Sequence, residues 1–160
     1  MLQLDQAFDR RSWHGTNLRG SLRGVSLGDA AWRPARDRHN IWELAVHAAY
    51  WKYAVRRRLT GEGRGSFPLE GSNWFDRPEK ATLAAWNADL ALLAEQHRLL
   101  RQAVSSLESA DLFKPATGGR TTRSDRRRSA SIRVFDVIAG VIAHDVYHAG
   151  QIQLLKRLMR

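Results

Sequence analysis

The chain has no cysteine among its 160 residues. That excludes disulfides, zinc or iron–sulfur sites built on thiolates, and a thiol nucleophile of its own. Long apolar runs are also missing: the longest, Val137 to Ala143, falls far short of the roughly 20 residues a membrane helix needs. The N-terminus, MLQLDQAFDRR, lacks the basic-then-apolar order of a secretory signal. These absences lead to the expectation of a soluble cytoplasmic protein with no membrane partner. Acidic residues are the minority, 16 against 26 Lys and Arg, giving a formal charge of +10. Internal repeats and strand-like alternation are not found.

What is present argues for a single domain over residues 1–160. An apolar fraction of 43% and six Trp are enough for a sizeable core in a chain of this length. Leu4 to Val25 predicts a first helix, with Leu4, Phe8, Gly15, Leu18, Leu22 and Val25 on one mostly apolar stripe. A connector containing Gly28 and Pro34 follows, reaching His39. Asn40 as N-cap and Glu43 three residues on resemble a capping box. The second helix then runs to Leu59 or Thr60, with Gly61 placed to end it in a left-handed conformation.

Gly61 to Pro78 is a long loop carrying Phe67, Trp74 and Phe75, residues that either pack onto the helices or form a lid over a site. A third helix starts at Pro78 or Glu79, and Leu83, Trp86, Leu90, Leu93, His97, Leu100, Val104 and Leu107 keep helical spacing along it. Ser109 to Ser131 breaks that pattern and includes a basic stretch, Arg120 to Arg128. The fourth helix begins between Ser131 and Phe135 and continues to the C-terminus. The fold class expected is all-α, a four-helix bundle.

Of six histidines, three share a property. His144 and His148 are four residues apart, so they lie on one helix face, with Val137, Val141 and Leu155 on the same side. His47 falls on the apolar stripe of the second helix, which also carries Ile41, Leu44, Ala48, Trp51, Val55 and Leu59. Buried imidazoles need hydrogen-bond partners or a metal ion, and bundles build metal sites from side chains projecting inward off facing helices. Three neutral imidazoles suit zinc, nickel, iron or copper and leave open positions for water or substrate. For His14, His39 and His97 the expectation is an ordinary hydrogen-bonded or partly exposed side chain.

The run from His144 to Ile152 (HDVYHAGQI), with NIWELAVH ending at His47 and LTG ending at Gly61, resembles the DinB-like (YfiT-like) family of four-helix-bundle metalloenzymes. The likeness covers nearly the whole chain in element order, including a Trp32-Arg33-Pro34 connector. It implies an up-down-down-up bundle, often a homodimer, with one divalent metal (zinc, nickel, iron or manganese) held by His47, His144 and His148. It also implies a small-molecule substrate and, as in some members, a low-molecular-weight thiol such as bacillithiol or mycothiol, in a transferase or metal-dependent hydrolase reaction. No catalytic side chain or organic-cofactor site is assigned. Glu43, one turn before His47, and Gln151, three residues after His148, are placed to orient the imidazoles; Asp145, about 100° around the helix from His144, is less well placed.

Two other readings compete. Arg120, Arg123, Arg126, Arg127, Arg128 and Arg133, with Arg56, Arg57 and Arg58, could neutralise phosphates in a nucleic-acid-binding bundle. No aromatic residue lies between Lys114 and Arg133 to stack on bases, so steering of an anionic substrate is a milder use of the same charge. The other rival is a non-catalytic structural bundle whose histidines only pack and bond.

Overall fold

The computed structural model describes residues 1–78, 80–116 and 132–159. The expected basic stretch Arg120 to Arg128, the Glu79 helix start and Ser131 lie outside the described residues. Helices account for the architecture: α1 (Leu2–Phe8), α2 (Leu18–Leu22), α3 (Leu27–Ala31), α4 (Ile41–Thr60), α5 (Leu83–Ser105) and α6 (Val134–Leu158), with a short 3-10 turn at Ser109–Phe113. Among the described residues there is no strand, only isolated bridges such as Pro115 with Arg133. The chain is an all-α helical bundle.

Its three long members are α4, α5 and α6, and α4 packs along both of the others. The limits of α4 follow from its ends. Asn40 accepts the Glu43 backbone N–H at 2.8 Å, the Glu43 carboxylate returns to the Asn40 N–H, and Gly61 stops the helix at φ +78°. Helix α5 starts later than the sequence suggests, because the Thr82 hydroxyl caps the Ala85 N–H at 3.2 Å.

A single first helix over Leu4 to Val25 is not what forms. Gly15 and Gly24 have φ of +101° and +71°, which a right-handed helix cannot contain. New caps sit just after each break. Asn17 accepts from the Gly20 N–H at 2.8 Å, and Ser26 with Asp29 makes a reciprocal capping box. The apolar stripe survives because Leu4, Phe8, Leu18 and Leu22 all remain buried. Helices α1 and α2 lay these side chains against α6, and α3 packs on α4, in place of a fourth long helix.

The core is two apolar clusters rather than one. Phe8, Ala49, Leu93 and Ala149 belong to the first; Leu4, Val55, Leu100 and Val141 belong to the second. Each of α1, α4, α5 and α6 therefore crosses from one cluster to the other. In the gaps lie Lys52, His97 and Asp145, all buried. This polar layer cuts the bundle at mid-height, one residue away from His144.

Candidate metal centre

His47 points inward from the third position of α4's second turn, and His144 and His148 from consecutive turns of α6. The two helices bring the three imidazoles edge to edge. The Nε2 of His144 is 3.1 Å from the Nε2 of His47 and 3.0 Å from the Nε2 of His148, and one nitrogen from each ring lies within 4.8 Å of the others. His47 and His148 are buried at 6% and 3% exposure, and His144 is half-buried.

The remaining ring nitrogens decide the chemistry. His47 donates its Nδ1–H to the Asn73 carbonyl at 2.7 Å. His148 donates its Nδ1–H to the Gln151 Oε1 at 2.6 Å, and the Gln151 amide N–H in turn donates to the Tyr147 hydroxyl at 3.1 Å. A neutral imidazole with its proton on Nδ1 carries a lone pair on Nε2. Two such lone pairs thus face the Nε2 of His144, which can satisfy only one of them with a proton. The His144 Nδ1 is itself buried without a partner among the described residues.

Protonation does not resolve the conflict. Burial, reinforced by the neighbouring His148 and His47, lowers the His144 pKa to about 3. Burial likewise lowers His148 to about 4 against the opposing bond to Gln151, and it lowers His47. Three converging, neutral imidazole nitrogens could hold a metal ion. A tetrahedral ion with bonds of about 2.0–2.1 Å holds its ligand atoms about 3.3 Å apart, close to the two spacings that His144 makes with His47 and His148. The residues present fit the metal.

The loop between α4 and α5 supplies much of the surround. Asn73 adopts φ +68°, a left-handed conformation unusual for a residue with a side chain. That geometry aims its carbonyl at His47 while its side-chain oxygen accepts from the Trp51 indole N–H at 2.9 Å. The next residue, Trp74, stacks on His47 with 3.8 Å between centroids and on His39 with 3.6 Å. Two rings so close and so nearly parallel to one indole must occupy its opposite faces. Phe67 and Phe75, by contrast, pack with Tyr50 and with each other on the bundle. The loop aromatics thus divide between the two roles open to them.

Of the orienting residues expected from sequence, Gln151 touches His148. Glu43 bonds elsewhere: its carboxylate receives Arg33, His39 Nδ1 at 3.0 Å and the Asn40 N–H. The helix N-terminus and the arginine hold it a full turn below His47, and the place expected for it is taken by the Asn73 carbonyl. Asp145 points away from the histidines to Lys52. His14 and His39 are exposed, and His97 is buried face to face with Phe8 at 3.8 Å. Asn73 carried no sequence signal beyond the residue's tolerance of left-handed turns.

A cleft of about 540 Å³ opens beside the three Nε2 atoms, with Trp51, Val55, Val137, Val141 and Tyr147 among its walls. A larger hollow of about 890 Å³, between the N-terminal turns and α5, includes none of the three histidines. Among the described residues no helix is long and apolar enough to cross a membrane.

The fold and site define a helical bundle with an inward-facing histidine triad able to hold a metal ion. The family model of the DinB superfamily matches residues 10–152, a span that includes all three histidines and Gln151, and the chain belongs to that superfamily. No curated protein and no solved structure matches it.

Proposed function

We propose that this chain is a metal-dependent enzyme acting on a small molecule, with His47, His144 and His148 holding one divalent cation, zinc, nickel, iron or manganese. One observation carries the reading: two imidazole lone pairs, fixed by Asn73 and Gln151, converge on a third imidazole beside an open cleft. Histidines that serve packing alone do not as a rule turn several acceptor nitrogens toward one another.

A divalent cation in this position supplies Lewis acidity and lowers the pKa of a water or thiol brought to it. The chain's own residues do the rest. Asn73 and Gln151 keep the Nδ1 protons in place, so each Nε2 stays available. Trp74 covers one face of His47 and excludes water from it. The hydrocarbon walls of the cleft hold a substrate and lower the local dielectric, which strengthens each charge interaction inside. A transferase using a low-molecular-weight thiol, or a hydrolase, fits this arrangement, with no side chain acting as nucleophile.

A homodimer is part of the same proposal. Phe135, Ala139, Ala143, Tyr147, Gly150 and Leu154 recur along the outward face of α6 and are exposed. They form one continuous, mostly apolar stripe, which a two-fold axis would set against the same stripe of a second copy.

The test is metal content of the untagged protein after dialysis, before and after reconstitution, with His144→Ala/His148→Ala as control. About one equivalent in the parent and none in the variant is expected. An unmetallated parent that takes up none of the four ions would defeat the reading. A panel of thiol-transfer and hydrolysis assays on the loaded protein then separates the two reaction classes.

A further inference from the structure

The geometry points to an elongated apolar tail, alkyl or aryl, as the feature by which this site recognises its small molecule. The inference rests on the proposed function for the reacting end and on the cleft's own walls for the tail.

The cleft is directional. From the histidines it follows two packed helices, with Trp51, Val55 and then Arg58 on α4, and Val141, Gly140, Val137 and then Asp136 on α6. The path from His144 to Val137 is seven residues of helix, about 10 Å at 1.5 Å per residue. Its walls between the two ends are hydrocarbon. Among the described residues, the polar side chains lining it besides the histidines are Asn73 and Tyr147 at the histidine end, the Tyr147 hydroxyl accepting from Gln151, and Arg58 and Asp136 at the far end. Asp136 is already engaged, accepting from the Arg133 backbone N–H at 3.0 Å and side chain at 3.2 Å. A compact polar substrate would find little to bond along this path, whereas a chain would bury surface along its whole length.

Gly140 supplies the second observation. It sits inside α6, where glycine weakens a helix relative to alanine. A Cβ there would meet nothing within 4 Å among the described residues, so none of their side chains or backbone requires the glycine. What a side chain at this position would enter is the groove, and its omission keeps the floor open.

The experiment is a calorimetric series of n-alkyl hydroxamates, butyl to decyl, each below its micellar concentration, on zinc-loaded and on metal-free protein. On the loaded parent, Kd should fall roughly two- to fourfold per added methylene and level off once the tail outruns the groove. In Gly140→Leu, zinc uptake should match the parent while the gain with chain length stops early. Gly140→Ala, which favours the helix, should show a smaller loss in the same direction and guards against misfolding of the leucine variant. A Kd indifferent to chain length in the loaded parent overturns the proposal, as does a chain-length gain identical in all three proteins. If the protein takes up no zinc, a chain-length gain on metal-free parent that Gly140→Leu shortens sustains the groove and discards the metal; its absence discards both.

Discussion

Lys52 and Asp145 form an ion pair in which neither side chain has any exposed surface, and it ties together the two helices that carry the histidine triad. Lys52 lies five residues after His47 on α4, and Asp145 immediately follows His144 on α6. The pair sits in the polar layer between the two apolar clusters, with the Lys52 Nζ 4.8 Å from the centre of the Phe8 ring. Burial pushes the Lys52 ammonium down in pKa and the Asp145 carboxyl up, each opposed by the other's charge. The second oxygen of Asp145 has no partner among the described residues. Such a pair adds little net stability over hydrocarbon, but removing one member leaves an uncompensated buried charge.

Lys52→Met should therefore cost about 3–5 kcal/mol in urea unfolding, and Lys52→Met/Asp145→Leu should recover most of that loss. Equal destabilisation of the single and double variants would show that the pair contributes as an ion pair rather than filling space. The prediction fails in that case.

Metal affinity should separate the two polar residues that flank the triad. Gln151→Leu removes the acceptor that fixes the His148 tautomer and should weaken metal binding about 10- to 100-fold. Glu43→Gln removes the negative charge and one of the two oxygens that accept from Arg33 and His39, so it should cost about 1–3 kcal/mol of stability with metal affinity close to the parent's. Competition titrations with a chelating dye, beside denaturant curves, measure both. The opposite pattern would return Glu43 to the triad.

Asn73 offers a backbone test. Asn73→Gly keeps the left-handed conformation and the carbonyl on His47, losing only the bond to the Trp51 indole. Asn73→Ala must hold φ +68° at a steric cost of about 1–2 kcal/mol. Thermal unfolding should rank the parent above the glycine variant and the glycine variant above alanine. A glycine variant as unstable as alanine would mean that the side-chain bond, not the conformation, governs this turn.

Acid should destabilise the metal-free protein before its carboxylates titrate. Burial, aided by the Lys52 charge, lowers the His97 pKa from 6.5 to about 3. Between those values the unfolded chain binds a proton at this site and the folded chain does not, so stability rises with pH. It is fully present above about 6.5 and is lost as pH falls toward 3, by up to about 1.4 kcal/mol per pH unit for one proton. His144 and His148, also lowered, add in the same sense. His97→Phe, which keeps a ring against Phe8, should flatten the slope by about one proton; an unchanged slope excludes His97 as a contributor.

The outward face of α6 predicts oligomeric state. Leu154, 58% exposed, replaced by Glu should convert a species of twice 18.2 kDa to one of 18.2 kDa in light scattering. A parent already at the lower mass would remove the dimer from the proposal.

Sequence by itself determined what depends on near neighbours. Asn40, Glu43 and Gly61 act within one turn of the ends of α4, so its limits were readable, and the four-residue spacing of His144 and His148 put both on one face of α6. The breaks at Gly15 and Gly24 were also local, but the apolar stripe runs across them because burial, not helicity, sets its spacing. Periodicity tells which side of a helix faces inward; it does not tell what waits there. The Asn73 carbonyl comes to His47 from 26 residues away, Asp145 to Lys52 from 93, and His144 to His47 from 97. Only packing of the helices and the loop could choose those partners, and through them the tautomers that leave each Nε2 facing its neighbour. The histidine faces were written in the local spacing. Their convergence, and the buried charge beside it, were decided by the tertiary structure, because a hydrogen bond or ion pair depends on distance in space rather than along the chain.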